Sequence, residues 1–314
     1  MATAAILDRI GYGGRVAVIR LRSLGDCVLS TPAIGLLKQF RPDLEIAVAV
    51  EDRFADVFAG NPAVSEILDP AATSVRNFSP DLCLNLHGGG RSMRMTLLSK
   101  ARFRAGFDIF KPSWAYNTPI PTAQETLGVV RRVHTAEHMA SAVFHLGVPV
   151  SEVPRAFVPA APGRSPHAPD APYVVFHPLA SAPEKTWPAQ NFVELARFAS
   201  RDLGLEPVVI GAAADDLSGF MGVRTVRGES LAEVSRLLRD ASLFVGNDSG
   251  PAHVAAAFGV PEVVFFGPSD HEIWAPWRTE ATVLKGEPIE SITVDQARRA
   301  MLSYRVQEVG VSSR

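Results

Sequence analysis

Cysteine is almost missing from this chain. Among 314 residues only Cys27 and Cys83 occur, too few for a disulfide framework or a Cys-rich zinc site. Both stand in apolar text and read as buried, reduced thiols, which points to a cytoplasmic protein. Long apolar runs are missing as well. Nothing approaches the roughly 18–20 uninterrupted apolar residues that cross a bilayer, so any contact with a membrane is peripheral. The opening MATAAILDRIGYGGR lacks the basic start and apolar stretch of a secretory signal. There is no Walker A loop, no Gly-x-Ser-x-Gly elbow and no His-Glu-x-x-His helix, which excludes P-loop, α/β-hydrolase and zincin chemistry. GYGGR precedes a strand instead of following one, so it is not a dinucleotide fingerprint. No Asp-x-Asp pair is present to hold a divalent ion, and nothing else reads as a metal site.

What is present is an ordinary globular composition, 47% hydrophobic and 20% charged. The length exceeds one usual core and suggests two domains. The formal net charge of −2 gives no reason to expect a nucleic-acid partner. The charge is divided unevenly, however. Residues 1–165 hold 18 Lys+Arg against 14 Asp+Glu, and the remainder holds 13 against 19. Residues 71–134 concentrate the excess, nine basic against three acidic, around Arg91, Arg94, Lys100, Arg102, Arg104, Arg131 and Arg132. Such a cluster is either a solvated face or a surface for an anionic partner.

Short Val- and Ile-rich runs alternate with longer stretches of helical period, the signature of βαβ units. Strands are expected at Val16–Leu21, Ile46–Val50 and Leu82–Leu86, and helices near Val28–Phe40, Arg53–Ala59, Ser92–Lys100 and Thr135–Leu146. Runs such as VAVIRL and IAVAV are apolar on successive residues, as strands buried on both faces should be. Pro, Ala and Gly crowd residues 153–172, a linker composition. The alternation then restarts: strand Tyr173–His177, helix Ala189–Leu203, strand Pro207–Ile210, helix Leu231–Arg239, strand Leu243–Val245, helix Pro251–Phe258, strand Glu262–Phe266. Ser230-x-x-Glu233 has the form of a capping box. Pro251 and Gly259 bracket the next helix in the expected order. The reading is an α/β chain of two parallel-sheet domains: residues 1–155, a Pro-rich linker 156–172, and residues 173–292. A closing helix in 293–314 is placed to pack back on the N-terminal domain.

In open parallel sheets, ligands sit at the carboxyl ends of the strands, so the loops after strands are where function is sought. Three stand out. Arg20-Leu-Arg-Ser-Leu-Gly-Asp26 follows the first strand. Asp26 reads equally well as a helix cap or as a carboxylate free to accept a proton, near a helix start that keeps it ionised but weakens it as a base. His177-Pro-Leu-Ala-Ser-Ala-Pro-Glu-Lys-Thr-Trp-Pro188 ends at a Pro-started helix. Its free amides and Lys185 suit a diphosphate, although a lone surface lysine is the plainer reading. Gly246-Asn-Asp-Ser-Gly-Pro-Ala-His253 is a second anion-receptive helix start. There Asp248 or Ser249 can cap, Gly250 permits close backbone approach, and His253 is either packed or catalytic.

Taken in order, these loops resemble the heptosyltransferases of bacterial lipopolysaccharide assembly, glycosyltransferase family nine. The matching text is IRLRSLGDCVLSTPAIGLLKQFRPDLEIAVAVE, PDLCLNLHGGGRS, HPLASAPEKTWPAQNFVELA and GNDSGPAHVAAAFGVPEVVFFGPSD, in the family's order between about Val16 and Asp270. The resemblance implies a GT-B arrangement: two Rossmann-like domains with a cleft between them, acceptor on the first and nucleotide on the second. It implies an inverting, metal-independent transfer from an ADP-heptose or similar nucleotide sugar, with no cofactor beyond that co-substrate, to an anionic glycolipid acceptor of lipopolysaccharide-core type. Asp26 then corresponds to the general base. Ala180, Ser181 and Lys185 fall where the diphosphate is held. Asp248, Ser249, Gly250 and His253 match the Asp-Thr-Gly-x-x-His element beside sugar and phosphates, and Glu229 lies in the segment that lines the adenosine pocket. On the acceptor side stand Ser23, Gly25, Arg91 and Arg94, with His134 and Glu137 matching a His-x-x-Glu helix start. The basic excess of residues 71–134 suits a phosphorylated or acidic acceptor, and equally the anionic inner face of a bacterial inner membrane.

The text departs from the family pattern in places. Ala180 stands where Thr is common, Ser249 replaces Thr, and a Cys-containing insertion after Trp277 is missing. These bear on the identity of donor and acceptor more than on the reaction class. Two other functions share such a scaffold: a nucleotide-sugar isomerase such as a non-hydrolysing 2-epimerase, and a non-catalytic nucleotide-sugar binding protein. Conversion of donor alone would mark the first. The second has no need of Asp26.

Overall fold

The computed structural model describes residues 5–160 and 162–304. They form two compact units, the first running to Pro159 and taking in Glu272–Arg278, the second comprising Ala160–His271 and the chain from Thr279.

The first unit is a six-stranded sheet of β1 (Arg15–Ile19), β2 (Glu45–Ala49), β3 (Glu66–Leu68), β4 (Leu82–Asn85), β5 (Phe103–Phe107) and β6 (Thr118–Ile120). Its order is β3-β2-β1-β4-β5-β6, every pair parallel. β1, β2 and β4 are apolar on both faces and buried almost throughout, as parallel strands covered on both sides must be. The helices are α1 (Leu24–Phe40), α2 (Ala72–Asn77), α3 (Gly89–Leu98), α4 (Ala123–Leu127) and α5 (Thr135–Leu146). The expected helix over Arg53–Ala59 is a 3-10 turn, Asp52–Val57. α1 begins four residues earlier than its apolar period suggests, so Gly25 and Asp26 are helical. Pro32 lies inside α1 and cannot donate to the Val28 carbonyl; the Thr31 hydroxyl bonds that carbonyl instead, at 2.8 Å.

The second unit repeats the plan with β7 (Tyr173–His177), β8 (Glu206–Gly211), β9 (Arg224–Arg227), β10 (Leu243–Asn247), β11 (Glu262–Phe266) and β12 (Ala281–Lys285). Its order, β12-β11-β10-β7-β8-β9, is the same topology, and again every pair is parallel. The helices are α6 (Ala189–Phe198, continued by a π-helical turn to Leu203), α7 (Leu231–Arg239), α8 (Gly250–Phe258) and α10 (Val294–Leu302), while α9 (His271–Trp274) falls with the first unit from Glu272 onward. Trp187 anchors the core: fully buried, stacked on Phe265 at 4.3 Å and edge-on to Phe192 at 5.2 Å, with its indole N–H bonded to the Ile292 carbonyl.

Three expectations change. α10, in the closing segment, packs within the second unit. Ala297, Ala300 and Met301 of α10 enter the second unit's core with Trp187, because its apolar stripe matches the surface beside β11 and α6; residues 305–314 lie outside the described residues. The stretch 156–172 is anchored at both ends. Ala156 and Val158 are buried and the Phe157 amide bonds Thr31, while Ser165 is buried against Glu233. Finally, Ser230 caps the Glu233 amide at 3.2 Å, but the Glu233 carboxylate turns to Ser165 and Arg236, so the box is only half made.

Glu262 opens β11 with its carboxyl fully buried and neither oxygen hydrogen-bonded. Burial pushes this carboxyl well above the usual carboxylate range, so it is held neutral. The folded state keeps a proton that the unfolded chain releases above its ordinary carboxyl range. Stability is therefore full at low pH and falls as pH rises toward the raised folded value. Glu262→Gln keeps the shape without the ionisation. Its advantage over the wild type in thermal unfolding should be smallest near pH 3 and grow steadily as pH rises to 8. An equal gap at both pH values would refute the assignment.

Candidate active site

The shared topology fixes where to look. In each sheet the strand order reverses direction between the two central strands, β1 and β4 or β7 and β10, and the loops leaving their carboxyl ends diverge to leave a crevice.

In the first unit that crevice is bounded by the loop after β1 and the loop after β4. Ser23 is the N-cap of α1 and Asp26 its third residue. The Ser23 hydroxyl and amide both donate to Asp26 Oδ2, at 2.9 and 3.4 Å. Cap and exposed carboxylate are thus one residue, since Asp26 receives the orphan amide and still has a side chain 24% exposed. Asp26 Oδ1 is ion-paired with Arg20, which is 4% exposed at the end of β1. The same guanidinium donates to the Leu86 carbonyl, across the crevice at the end of β4. His87 follows, its pKa lowered by burial and then by the neighbouring Arg20 charge. Buried Asn85 accepts from the amides of His87 and Gly88 at 3.0 and 3.1 Å, and its own amide donates to Ser92 and Tyr116. Gly88 has φ +74°, and a Cβ there would lie 2.8 Å from the Phe110 ring, so this turn accepts only glycine.

Not all of the expected acceptor-side residues gather here. Gly25 is buried in the first turn of α1. Arg91 and Arg94 lie on the first turns of α3. Arg91 spans to the Pro70 carbonyl and Glu51, whereas Arg94 is exposed with no partner among the described residues. His134 caps α5: Nδ1 accepts from the Ala136 amide, which leaves the proton on Nε2 to meet the Ala275 carbonyl at 2.8 Å. Its ring stacks on Trp277 at 4.5 Å. Glu137 accepts from the His134 amide and pairs with Arg131, whose cation holds it below the usual carboxylate range. The pair therefore fastens Glu272–Arg278 and the start of α5. The basic excess is divided too. Arg91, Arg94, Lys111, Arg131 and Arg132 follow the carboxyl ends of strands, while Arg76, Lys100, Arg102 and Arg104 lie toward the opposite edge.

In the second unit the crevice lies between the ends of β7 and β10. Lys185 closes a 3-10 turn and its Nζ is 3.4 Å from Asp248 Oδ2. The loop is seated by the Trp187 amide on Asn247 Oδ1, at 2.9 Å, and by the burial of Trp187. Gly267 is needed for this seating: a Cβ there would lie 2.4 Å from the Glu184 carbonyl. Ser249 is the N-cap of α8, but its hydroxyl faces His177 Nδ1 at 2.9 Å and caps no amide. The first amides of α8 are thus left without a side-chain cap, a receptive place for an anion. Burial pushes His177 down to about 4, so the imidazole is neutral. His253 is buried in the second turn. Ala180 is half-buried and Ser181 exposed on the loop before Lys185. Lys185, Asp248, Ser249 and Gly250 are brought together. Glu229 is not with them, lying after edge strand β9 and pairing with His167 at 3.1 Å.

Arg20, Asn85, His87, His177 and Asn247 were assigned no role from the sequence. The signal that could have found them is a polar residue ending an otherwise apolar buried strand.

Comparison with known proteins places these loops in context. The model of glycosyltransferase family 9 (heptosyltransferase) matches residues 71–301. Lipopolysaccharide heptosyltransferase 3 of Escherichia coli is 27% identical over 298 residues, covering 82% of this chain and 84% of that protein. Lipopolysaccharide heptosyltransferase 1 of Pseudomonas aeruginosa is 25% identical over 290 residues, covering 82% and 79%. Among solved structures, the E. coli ADP-heptose lps heptosyltransferase II shares the fold at TM-score 0.78 with 20% identity, covering 94% of this chain and 99% of that one. A family 9 glycosyl transferase from Veillonella parvula gives TM-score 0.79 with 22% identity, covering 93% and 97%. The two Rossmann-like sheets are those of a GT-B enzyme, and with the family model spanning well over half its length the chain belongs to glycosyltransferase family 9, the heptosyltransferases.

Proposed function

We propose that this enzyme moves a heptose, or a closely related sugar, from an ADP-sugar to an anionic acceptor of lipopolysaccharide-core type, with inversion and without a metal ion. The observation that carries the reading is the uncapped start of α8 beside Lys185, at the switch point of the second sheet. The comparisons support it: the relatives are lipopolysaccharide heptosyltransferases, and an E. coli heptosyltransferase of the same fold has been solved with ADP.

In the reaction, the acceptor hydroxyl attacks the anomeric carbon from the face opposite the nucleotide. Its O–H bond breaks as Asp26 takes the proton, the new C–O bond forms, and the bond to the β-phosphate oxygen breaks with release of ADP. Charge collects on the departing diphosphate. Lys185 and the α8 amides are positioned donors for it, supplying the stabilisation that a divalent ion gives elsewhere. Asp248 holds Lys185 in place before the donor arrives. The contact is loose at 3.4 Å and Lys185 is 33% exposed, so a diphosphate can compete for it. Ser249, Gly250 and His253 complete the helix start, Ala180 and Ser181 the opposite loop, and the segment of Glu229 after β9 lines the adenosine. Ser23, Gly25, Arg91 and Arg94 serve the acceptor, and His134 with Glu137 keeps the acceptor side in shape. Arg94 and Lys111, with exposed Ile109 and Val130, suit peripheral contact with the anionic inner face of the inner membrane, where a cytoplasmic enzyme meets a glycolipid.

Asp26→Asn should lower turnover by at least about 100-fold while calorimetric ADP affinity stays unchanged. Near-normal turnover would remove the base from the mechanism. Lys185→Ala should weaken ADP binding about 10–100-fold, the loss of one charge-assisted contact. In a thermal-shift series ADP should raise the melting temperature and UDP should not. A response to UDP alone would overturn the ADP-sugar donor and leave the reaction class standing.

A further inference from the structure

Buried at the junction of β1, α1 and β4, Arg20 is the least solvated charge beside the candidate base. Its main-chain amide is fixed by the Ala49 carbonyl at 3.1 Å and its guanidinium by the Leu86 carbonyl. With its own position set from two strands, the other terminal guanidinium nitrogen, Nη2, reaches Asp26 Oδ1. Asp26 Oδ2 is taken by the amide and hydroxyl of Ser23. A carboxylate offers about four lone-pair positions, and three donors are accounted for. The last is on Oδ1, and the Asp26 side chain is 24% exposed to solvent. Arg22 and His87 also stand near, but neither bonds the carboxylate.

We infer that Arg20 is a positioning residue for the proton-accepting step: it selects the one lone pair of Asp26 that meets the acceptor hydroxyl. This rests on the reading of Asp26 as the base. An arginine suits the task because its guanidinium does not give up a proton, so the proton taken from the acceptor stays on Asp26 and is not passed inward. Its fork bonds the Leu86 carbonyl and the carboxylate at once, which ties the base to the far wall of the crevice. Without it Asp26 keeps only its Ser23 contacts and is free to change rotamer. A displacement near 1 Å at a reacting group costs about 100-fold in rate.

The test compares Arg20→Gln, Arg20→Lys, Asp26→Asn and the Asp26→Asn/Arg20→Gln double variant by steady-state transfer, thermal unfolding and ADP titration. Arg20→Gln should lose about 100-fold in kcat with KM for the donor and ADP affinity within a few-fold of wild type. Arg20→Lys, which restores the cation, should recover most of that loss. In the Asp26→Asn background Arg20→Gln should cost nothing further, since there is no base left to position. The inference is overturned if Arg20→Gln keeps its kcat, or if it lowers the residual rate of Asp26→Asn by the same factor. It also fails if Arg20→Gln does not fold while Arg20→Lys is fully active, which would make Arg20 a residue of stability alone. Normal turnover in Asp26→Asn is a different failure, that of the base itself.

Discussion

A buried polar group is costly without partners, and at the ends of the central strands this constraint organises each half of the molecule. Each central strand ends in such a group: Arg20 after β1, Asn85 in β4, His177 in β7 and Asn247 in β10. The strands themselves are apolar and satisfy only each other's main chain. Their last side chains therefore turn to the loops for hydrogen bonds, and in each unit the loops are drawn to the end of that unit's own sheet. Arg20 binds Asp26 and Leu86. Asn85 fixes the His87–Gly88 turn, His177 meets Ser249, and Asn247 seats the Lys185 loop through the Trp187 amide. In each unit the loops are thus positioned by the ends of its central strands, through side-chain contacts that differ from one strand to the next.

How much of this is legible in the sequence follows from the same physics. Tyr173–His177 and Glu262–Phe266 are read to the residue because a strand buried on both faces leaves an uninterrupted apolar run. Edge strands leave none: Glu66–Leu68, Thr118–Ile120, Arg224–Arg227 and Ala281–Lys285 are short or half-exposed and pass for loop. Phe103–Phe107 is hidden by Arg104 and Gly106, where Gly106 leaves room for the Tyr116 ring. Asp26, Lys185 and Asp248 draw notice in the sequence because a carboxylate or lysine at a strand-to-helix loop has a chemical meaning on its own. Arg20 and His177 do not, because their meaning is their partner, and the partner is distant in sequence.

Local signals also mislead where a tertiary contact outbids them. Ser230 and Glu233 have the spacing of a capping box, yet Glu233 is buried, and a buried carboxylate takes the strongest donors within reach, the Ser165 hydroxyl and Arg236. The weaker orphan amide of Ser230 is left out. The reverse happens at Ser23-Leu-Gly-Asp26, where Gly25 suggests a loop but the Asp26 carboxylate, pinned between Ser23 and Arg20, carries the helix back over it. His134 shows a third case. The resemblance sets it beside Glu137 on the acceptor side, and the structure adds main-chain contacts of both ring nitrogens, one in its own helix and one at Ala275.

Charge counting suffers the same limit. By count the first half is basic and the second acidic, yet it is the acidic half that presents the anion-receptive helix start. Charges spread over a surface are screened within about 10 Å, whereas amides at a helix start act at contact distance in a partly desolvated place. Asp248 sharpens the contrast: under the proposed function a carboxylate beside Lys185 would oppose an anion, yet its 3.4 Å contact is also what holds the lysine toward the start of α8.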